Sequence, residues 1–219
     1  MVRLGILAAA LAAMSAGPAS AIVYTGTISI ANGGLTGTDD WLGGPTSITY
    51  TVADDPVVAG LWHYVYTIAV PNTPGGAIHE VLIGLDPAMT VHDLRNVSLT
   101  NGNLHSVELF QNQGDKKFMP QPMYAVEFIV GADTRTLTIT FDSLFEPVWG
   151  DVFVRGGGQN SCWNIDFTAT STDPPVLPSV FQAGFILRPG IIPEPMTMVT
   201  LGLAGLAVAR ALQRRLRGA

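Results

Sequence analysis

The sequence predicts an all-β protein: an antiparallel β-sandwich or jelly-roll-like domain with an N-terminal signal helix and a short C-terminal transmembrane helix. Three observations support this class. Apolar and polar residues alternate with a period of two over most of the 219 residues, turns rich in Gly, Asn and Pro separate the alternating segments, and an apolar run stands near each end. Between residues 22 and 192 no apolar stripe has helical spacing and helical length, which leaves strands as the elements of the body.

The alternation defines about ten short strands, enough for two packed sheets in one domain. Half-buried antiparallel strands produce this pattern because successive side chains point to opposite faces. Asn101-Gly102, between Leu99 and Leu104, predicts a tight hairpin, since both residues tolerate a positive φ. The candidate strands are Ile22–Ile30, Ser47–Val52, Trp62–Val70, Glu80–Leu85, Asn96–Leu99, Leu104–Phe110, Tyr124–Val130, Thr136–Phe141, Val152–Val154, Asn164–Thr168 and Val180–Leu187.

The N-terminal segment has the layout of a secretory signal. Arg3 precedes an unbroken apolar run from Leu4 to Met14, and the small residues Ala19, Ser20 and Ala21 form an A-x-A cleavage site. As a helix the run is about 16 Å long, too short to cross a hydrocarbon core of about 30 Å. We therefore expect residues 1–21 to be removed by signal peptidase after Ala21 rather than to remain as an anchor.

The C-terminal segment combines three features in a fixed order. Pro193-Glu194-Pro195 precedes an apolar stretch from Met196 to Ala209, and a cluster of arginines ends the chain. As a helix the stretch is about 21 Å long, which is shorter than the hydrocarbon core of a membrane. It can span the membrane only if the helix extends to Leu212, the arginine side chains reach back to the interface and the bilayer becomes locally thinner. The positive-inside rule then leaves the preceding chain on the outer side. The clustered arginines are Arg210, Arg214, Arg215 and Arg217.

This order resembles the PEP-CTERM sorting signal of exported proteins of Gram-negative bacteria, and it covers about the last 27 residues. The stretches Phe145–Gly158 and Phe181–Ile192 are also similar to PEP-CTERM exported domains, which have no established activity. The resemblance implies cleavage by a membrane-embedded exosortase, a transient inner-membrane anchor and a cell-surface or extracellular destination, commonly in species that make extracellular polysaccharide. We therefore expect a signal peptide (1–21), an exported β-sandwich (22–190) and a sorting signal (191–219).

The charge and cysteine content exclude several classes of function. Sixteen of the 17 acidic residues lie between Ile22 and Ile192, with only six of the 11 basic residues. An acidic body argues against a nucleic-acid partner, whose phosphates require a basic surface. The single Cys162 excludes an intramolecular disulfide and any multi-cysteine metal site. A buried, unreactive Cys162 is favoured over a nucleophile paired with one of the four histidines, His63, His79, His92 and His105.

Two acidic pairs, Asp39-Asp40 and Asp54-Asp55, lie in predicted turns. Carboxylates in a loop can bind calcium weakly outside the cell, so these four residues are the candidate metal ligands. No calcium-loop repeat accompanies them, and solvated turn acids are the favoured interpretation, with no cofactor expected. His79-Glu80 begins like a zinc-protease motif, but position 83 holds isoleucine where that motif needs histidine.

Aromatic residues are the remaining candidates for ligand binding. Trp62, Tyr64 and Tyr66 share one face of a predicted strand and form a possible platform for sugar rings, although such a stripe is more often core. The other rings considered for stacking on sugars are Trp41, Trp149, Trp163 and Tyr50.

We expect a non-enzymatic surface or matrix protein with a structural, adhesive or exopolysaccharide-associated role. The alternative is a carbohydrate-binding module that uses exposed aromatics or a calcium loop. A secreted hydrolase is disfavoured because no catalytic motif is present.

Overall fold

The computed structural model describes residues 21–111, 116–168 and 178–191. The predicted signal peptide, apart from Ala21, and the predicted sorting signal, apart from Ile191, lie outside the described residues. Among the residues that are described, no helix is long and apolar enough to span a membrane.

The described part of the chain is all-β, as predicted, with thirteen strands, one short helix α1 (Asp39–Leu42) and a single 3₁₀ turn (Val91–Asp93). The strands are β1 (Val23–Ser29), β2 (Leu35–Thr38), β3 (Ser47–Asp54), β4 (Trp62–Ala69), β5 (Ile78–Gly84), β6 (Leu94–Thr100), β7 (Asn103–Gln111), β8 (Tyr124–Thr134), β9 (Thr136–Ser143), β10 (Glu146–Gly150), β11 (Val152–Gly156), β12 (Ser161–Asn164) and β13 (Ile186–Gly190).

The strands form two large sheets and a two-stranded ribbon, all paired antiparallel. The five-stranded sheet has the order β1-β3-β4-β9-β6, the six-stranded sheet has the order β2-β12-β11-β5-β8-β7, and β10 pairs with β13. One hydrophobic core joins the sheets, and Phe141 of the first stacks on Phe128 of the second at 6.1 Å between ring centroids. This arrangement is consistent with the predicted β-sandwich.

The turn at Asn101-Gly102 corrects the predicted hairpin. Asn101 has the expected positive φ of 64°, but β6 pairs with β9 in one sheet and β7 pairs with β8 in the other. The turn therefore crosses between sheets instead of pairing its own two flanks. Leu99 and Leu104 both pack against the shared core, and this burial outweighs the local pairing that the turn residues permit.

The strand bounds differ from the prediction at four places. Strands β2 and β10 are not anticipated because one holds Gly37 and the other Pro147, residues that weaken a strand pattern. Strand β12 ends at Asn164, where a strand is expected to begin, and β13 starts only at Ile186.

The outer faces of the two large sheets differ. Strands β1, β3, β4, β9 and β6 place Thr27, Thr49, Thr67, Thr138 and Thr100 in one register row across the five-stranded sheet. The six-stranded sheet instead carries a second apolar cluster on its outer face, which includes Leu82, Phe110, Phe153 and Phe167. Its central strands β5 and β11 are therefore buried on both sides along most of their length, whereas the edge strand β7 is not.

Candidate functional site

A charged cluster of Glu80, Glu127, Lys116 and Arg155 lies on the outer face of the six-stranded sheet. The Lys116 Nζ atom is 2.6 Å from Glu80 Oε2 and 2.5 Å from Glu127 Oε1, and Arg155 pairs with Glu80 Oε1. Glu80 and Glu127 are only 5% and 6% exposed. Two buried carboxylates thus meet two cations, which offsets the cost of burying their charge.

The sheet register brings these side chains together. Arg155 on β11 is directly opposite Glu80 on β5, and Glu127 lies on the next strand, β8. Burial raises the pKa of Glu127, and the neighbouring Glu80 adds to this rise while Lys116 opposes it. Burial by itself would lower the pKa of Lys116, but hydrogen bonds to Glu127 and Glu80 raise it.

A pocket of about 560 Å³ adjoins the charged cluster, with Ala77, His79 and Ile129 in its wall. Paired carboxylates beside a pocket are the groups that glycoside hydrolysis uses. Here, however, the Lys116 amine is within hydrogen-bond distance of both carboxylates, so it occupies the position between them. The cluster is therefore best interpreted as an ion-pair network that fastens the segment around Lys116 to the sheet.

Sequence reasoning missed this cluster. Glu80, Lys116 and Glu127 are distant from one another in the sequence, and no local pattern indicates that their side chains meet. The available signal was a glutamate directly before three apolar residues in both β5 and β8.

A second pocket, of about 340 Å³, is lined by β1, β3, β10 and β13; we call it the aromatic pocket. Its wall includes Tyr24, Tyr50, Trp149, Phe181 and Leu187. The Tyr50 and Trp149 rings meet edge to face, with 6.3 Å between centroids. Both side chains are buried, at 1% and 2% exposure. Among the described residues, neither Tyr50 Oη nor Trp149 Nε1 has a hydrogen-bond partner.

The predicted platform of Trp62, Tyr64 and Tyr66 is not exposed: all three side chains are buried in the core. Their shared strand face is the inner face of β4, so alternation places them against the opposite sheet. Tyr64 Oη donates to Phe145 O and Tyr66 Oη donates to Leu187 O, at 2.9 and 2.7 Å. These hydroxyls attach the β10–β13 region to the five-stranded sheet.

His63 lies on the outer face of the five-stranded sheet between two carboxylates. Its Nδ1 atom is 2.5 Å from Asp142 Oδ1 and its Nε2 atom is 2.9 Å from Asp55 Oδ2. The hydrogen bond to Asp142 raises the pKa of His63 despite partial burial, and the bond to Asp55 adds to the rise. The Val58 and Val57 amides, followed by His63, lower the pKa of Asp55.

The four candidate calcium ligands lie in different surroundings. Asp39 and Asp40 are exposed in α1, Asp54 accepts a hydrogen bond from the Ile22 amide, and Asp55 binds His63. Within the described ranges no group of three or more His, Cys, Asp or Glu residues is arranged to hold a metal ion.

Cys162 is fully buried in the main core, on β12 opposite Val154. Burial raises the pKa of its thiol well above the usual value, so little thiolate forms near neutral pH. This environment fits the favoured interpretation of Cys162 as a small packed side chain.

The processing residues fall mainly outside the described part of the chain. Ala21 is described and exposed. The residues outside the described ranges are Ala19, Ser20, Pro193, Glu194, Pro195, Arg210, Arg214, Arg215 and Arg217.

In comparisons with known proteins, no family model, no curated protein and no solved structure matches this chain.

Proposed function

We propose that this chain is an exported, exosortase-sorted protein of the cell surface or extracellular matrix, with a structural, adhesive or exopolysaccharide-associated role and no catalytic activity of its own. Signal peptidase removes residues 1–21 as a signal helix. A short transmembrane helix after Pro195 anchors the chain in the inner membrane until exosortase cuts near Pro193-Glu194-Pro195. The remaining body is a jelly-roll-like sandwich.

The position of the fold between the two proposed cuts is the observation that carries this proposal. The first strand begins at Val23, just after Ala21, and β13 ends at Gly190, just before Pro193. Strand β1 pairs with β3 over seven residue pairs and β13 pairs with β10 over five. Trimming at both sites removes no residue of a described strand, so the body keeps its pairing.

The surroundings of Ile22 are compatible with cleavage after Ala21. The Ile22 amide donates to Asp54 Oδ1, and the Asp54 amide donates back to Ile22 O at 3.1 Å. Cleavage converts that amide into an α-ammonium group beside a carboxylate, which makes the hydrogen bond charge-assisted. The new terminus is thereby fixed at the end of β1.

Mass spectrometry of the exported protein tests the proposal. We expect a mature chain that starts at Ile22 and lacks the terminal arginines. Replacing Pro193, Glu194 and Pro195 together by alanine should retain the arginine tail and leave the protein in the membrane fraction. Pro74→Ala, in an exposed turn, is the matched control and should be processed normally. An intact tail on the extracellular wild-type protein would overturn the proposal.

The second candidate function is a carbohydrate-binding module. The aromatic pocket favours it, because the Tyr24 and Phe181 rings and the Thr25 and Ser179 hydroxyl groups are part of its lining. Retention on immobilised polysaccharide, compared with and without a chelator, separates a calcium loop from calcium-independent binding. Loss of retention in chelator would assign the binding to the acidic turns instead of the pocket.

A further inference from the structure

We propose that Lys116 and Glu80 condense into an intramolecular amide, so that the charged cluster on the six-stranded sheet becomes a covalent cross-link. Glu127 carries the protons and Arg155 stabilises the carbonyl oxygen. This modification takes place once in each chain and requires no ligand or cofactor. It goes beyond the proposed function and does not depend on where the chain is sorted.

The first step of the argument is the contact between the reacting groups. The Lys116 Nζ atom is 2.6 Å from Glu80 Oε2, so the amine touches the carboxyl group that it attacks. A second contact of 2.5 Å, between Nζ and Glu127 Oε1, holds the amine in this position. Groups that are held against each other react far faster than the same groups in solution. Access from solvent is not needed, because both reactants belong to the chain.

The second step is the burial of the charges. Glu80 and Glu127 are only 5% and 6% exposed, and Ala77 and Ile129 place apolar groups beside them in the pocket wall. A buried ammonium and carboxylate lose much of their hydration, and their mutual attraction offsets this loss only in part. An amide carries no charge, so burial shifts the balance from the ion pair towards the amide and water. The adjoining pocket of about 560 Å³ can receive the released water.

The third step is the path of the atoms. Lys116 Nζ passes one proton to Glu127, and Glu127 passes it to Glu80 Oε2, which leaves a neutral amine and a neutral carboxyl group. The nitrogen lone pair then attacks Glu80 Cδ, and an electron pair moves onto Oε1, which is paired with Arg155. Glu127 transfers a second proton from Nζ to Oε2, the Cδ–Oε2 bond breaks, and one water molecule leaves. The electron pair on Oε1 restores the C=O bond, and Glu127 returns to its starting state.

The surroundings of each group suit these roles. Burial raises the pKa of Glu127, and a hydrogen bond with Glu80 adds to the rise, so Glu127 accepts a proton from the ammonium group more readily than an exposed glutamate does. Arg155 stabilises the negative charge that develops on Glu80 Oε1. Despite burial, hydrogen bonds to the two carboxylates raise the pKa of Lys116. The ammonium form therefore predominates, the amide forms slowly, and freshly folded protein still carries the ion pair.

The cross-link would supply a covalent constraint that the chain otherwise lacks. The single cysteine excludes an intramolecular disulfide. An amide between Lys116 and Glu80 closes the chain from residue 80 to residue 116 into a covalent loop, which restricts the unfolded state as a disulfide does. The amide should therefore raise the melting temperature.

The experiment is intact-mass spectrometry, under denaturing conditions, of the purified protein before and after incubation at pH 7. We expect the incubated chain to be lighter by one water molecule than the mass calculated from its own termini. Peptide mapping should find one branched peptide that joins Lys116 to Glu80. The melting temperature should rise as the lighter form accumulates.

Three variants separate the roles of the residues. Glu127→Gln keeps nearly the same shape but does not accept the proton, so the amide should form about 100-fold more slowly. Lys116→Arg keeps a cation beside both carboxylates without a comparable nucleophile, so no water should be lost. Lys117→Arg is the matched control and should form the amide normally, since Lys117 is exposed and lies over the Phe118 ring.

Four results would overturn the inference: an incubated wild-type mass equal to the calculated one, a branched peptide between other residues, an amide that forms at the wild-type rate in Glu127→Gln, or a loss of water that persists in Lys116→Arg. The last result would assign the lost water to a cyclised aspartate. If Glu127→Gln fails to fold, the wild-type peptide map and Lys116→Arg still decide the question.

The sorting proposal is tested separately, through the termini of the chain. A correctly trimmed chain without the amide rejects this inference alone. An untrimmed chain that carries the amide rejects the sorting proposal alone.

Discussion

The outer faces of the two large sheets are built from different side chains. The five-stranded sheet presents threonine hydroxyl groups that pair across strands: the Oγ1 atoms of Thr27 and Thr49 are 3.0 Å apart, and those of Thr67 and Thr138 are 3.1 Å apart. The six-stranded sheet buries Phe153 and Leu82 on its outer face as part of a second apolar cluster. The five-stranded sheet therefore has a single buried face, while the centre of the six-stranded sheet is buried on both faces. Substitutions on the two outer faces should differ in cost.

The charged clusters on these faces show the same contrast. His63 bridges Asp55 and Asp142 where its side chain is 40% exposed, so water screens the ion pairs. Lys116 bridges Glu80 and Glu127 with its own side chain only 18% exposed. The two three-residue clusters should therefore contribute differently to the free energy of unfolding. The His63 cluster is a weak contact that depends on pH, whereas Lys116 neutralises two buried carboxylates.

The largest effect is expected from Phe153→Ala on the outer face of the six-stranded sheet. Phe153 is fully buried and stacks on Trp163 with 6.3 Å between centroids. The substitution should cost about 3–5 kcal/mol in the free energy of unfolding by urea. Val65→Ala on the outer face of β4 is the matched control and should cost about 1 kcal/mol or less. Equal losses would contradict the difference between the faces.

Lys116→Met should have the next largest effect, about 3 kcal/mol at pH 7, because two buried carboxylates lose their shared cation. The pKa of Glu127 is already raised, so protonation stabilises the fold below the unfolded-state pKa, and this contribution is lost as pH rises through the folded-state pKa. The loss caused by Lys116→Met should therefore shrink towards pH 4.

Lys117→Met is the control for that variant. Lys117 is exposed and lies over the Phe118 ring, 4.7 Å from its centroid. Its replacement should change the free energy of unfolding by about 0.5 kcal/mol or less. A loss at Lys116 that does not vary with pH would exclude Glu127 as its cause.

A smaller effect, which depends on pH, is expected from His63→Gln. Because its partners raise the pKa of His63, its contribution is fully present below the unfolded-state pKa and disappears as pH rises through the folded-state pKa. Melting temperatures at pH 5.5 and pH 9 should show a gap between wild type and variant only at the lower pH. His92→Gln, at an exposed position, should show none. A gap of equal size at both pH values would refute the charged bridge.

The smallest effect is expected from Thr67→Val, which removes one hydroxyl of an exposed row. The loss should be about 0.5 kcal/mol or less, since a cross-strand hydroxyl pair contributes little beyond its packing. Thermal unfolding of this variant and of Thr67→Val combined with Thr138→Val measures it. A loss of several kcal/mol would mean that another part of the chain packs on this face.

Sequence reasoning located all five strands of the five-stranded sheet, because only one face is buried and the alternation is clean. In β4 the buried residues Trp62, Tyr64 and Tyr66 alternate with half-buried neighbours. The six-stranded sheet was predicted less completely, since β2 and β12 are only four residues long and give little alternation to detect. Of the aromatic pocket, the sequence offered Tyr50 and Trp149 as rings among several, without indicating which ones line a cavity.

The sequence by itself determined the all-β class, the acidic composition between residues 22 and 192 and the position of most strands, because period-two patterning, charge and turn residues are local properties. Tertiary structure decided which strands pair across Asn101-Gly102, which of the tyrosine hydroxyls has no described partner, and that Lys116 meets Glu80 and Glu127. These outcomes depend on contacts between residues far apart in sequence, where burial in a shared core outweighs the preference of any single segment.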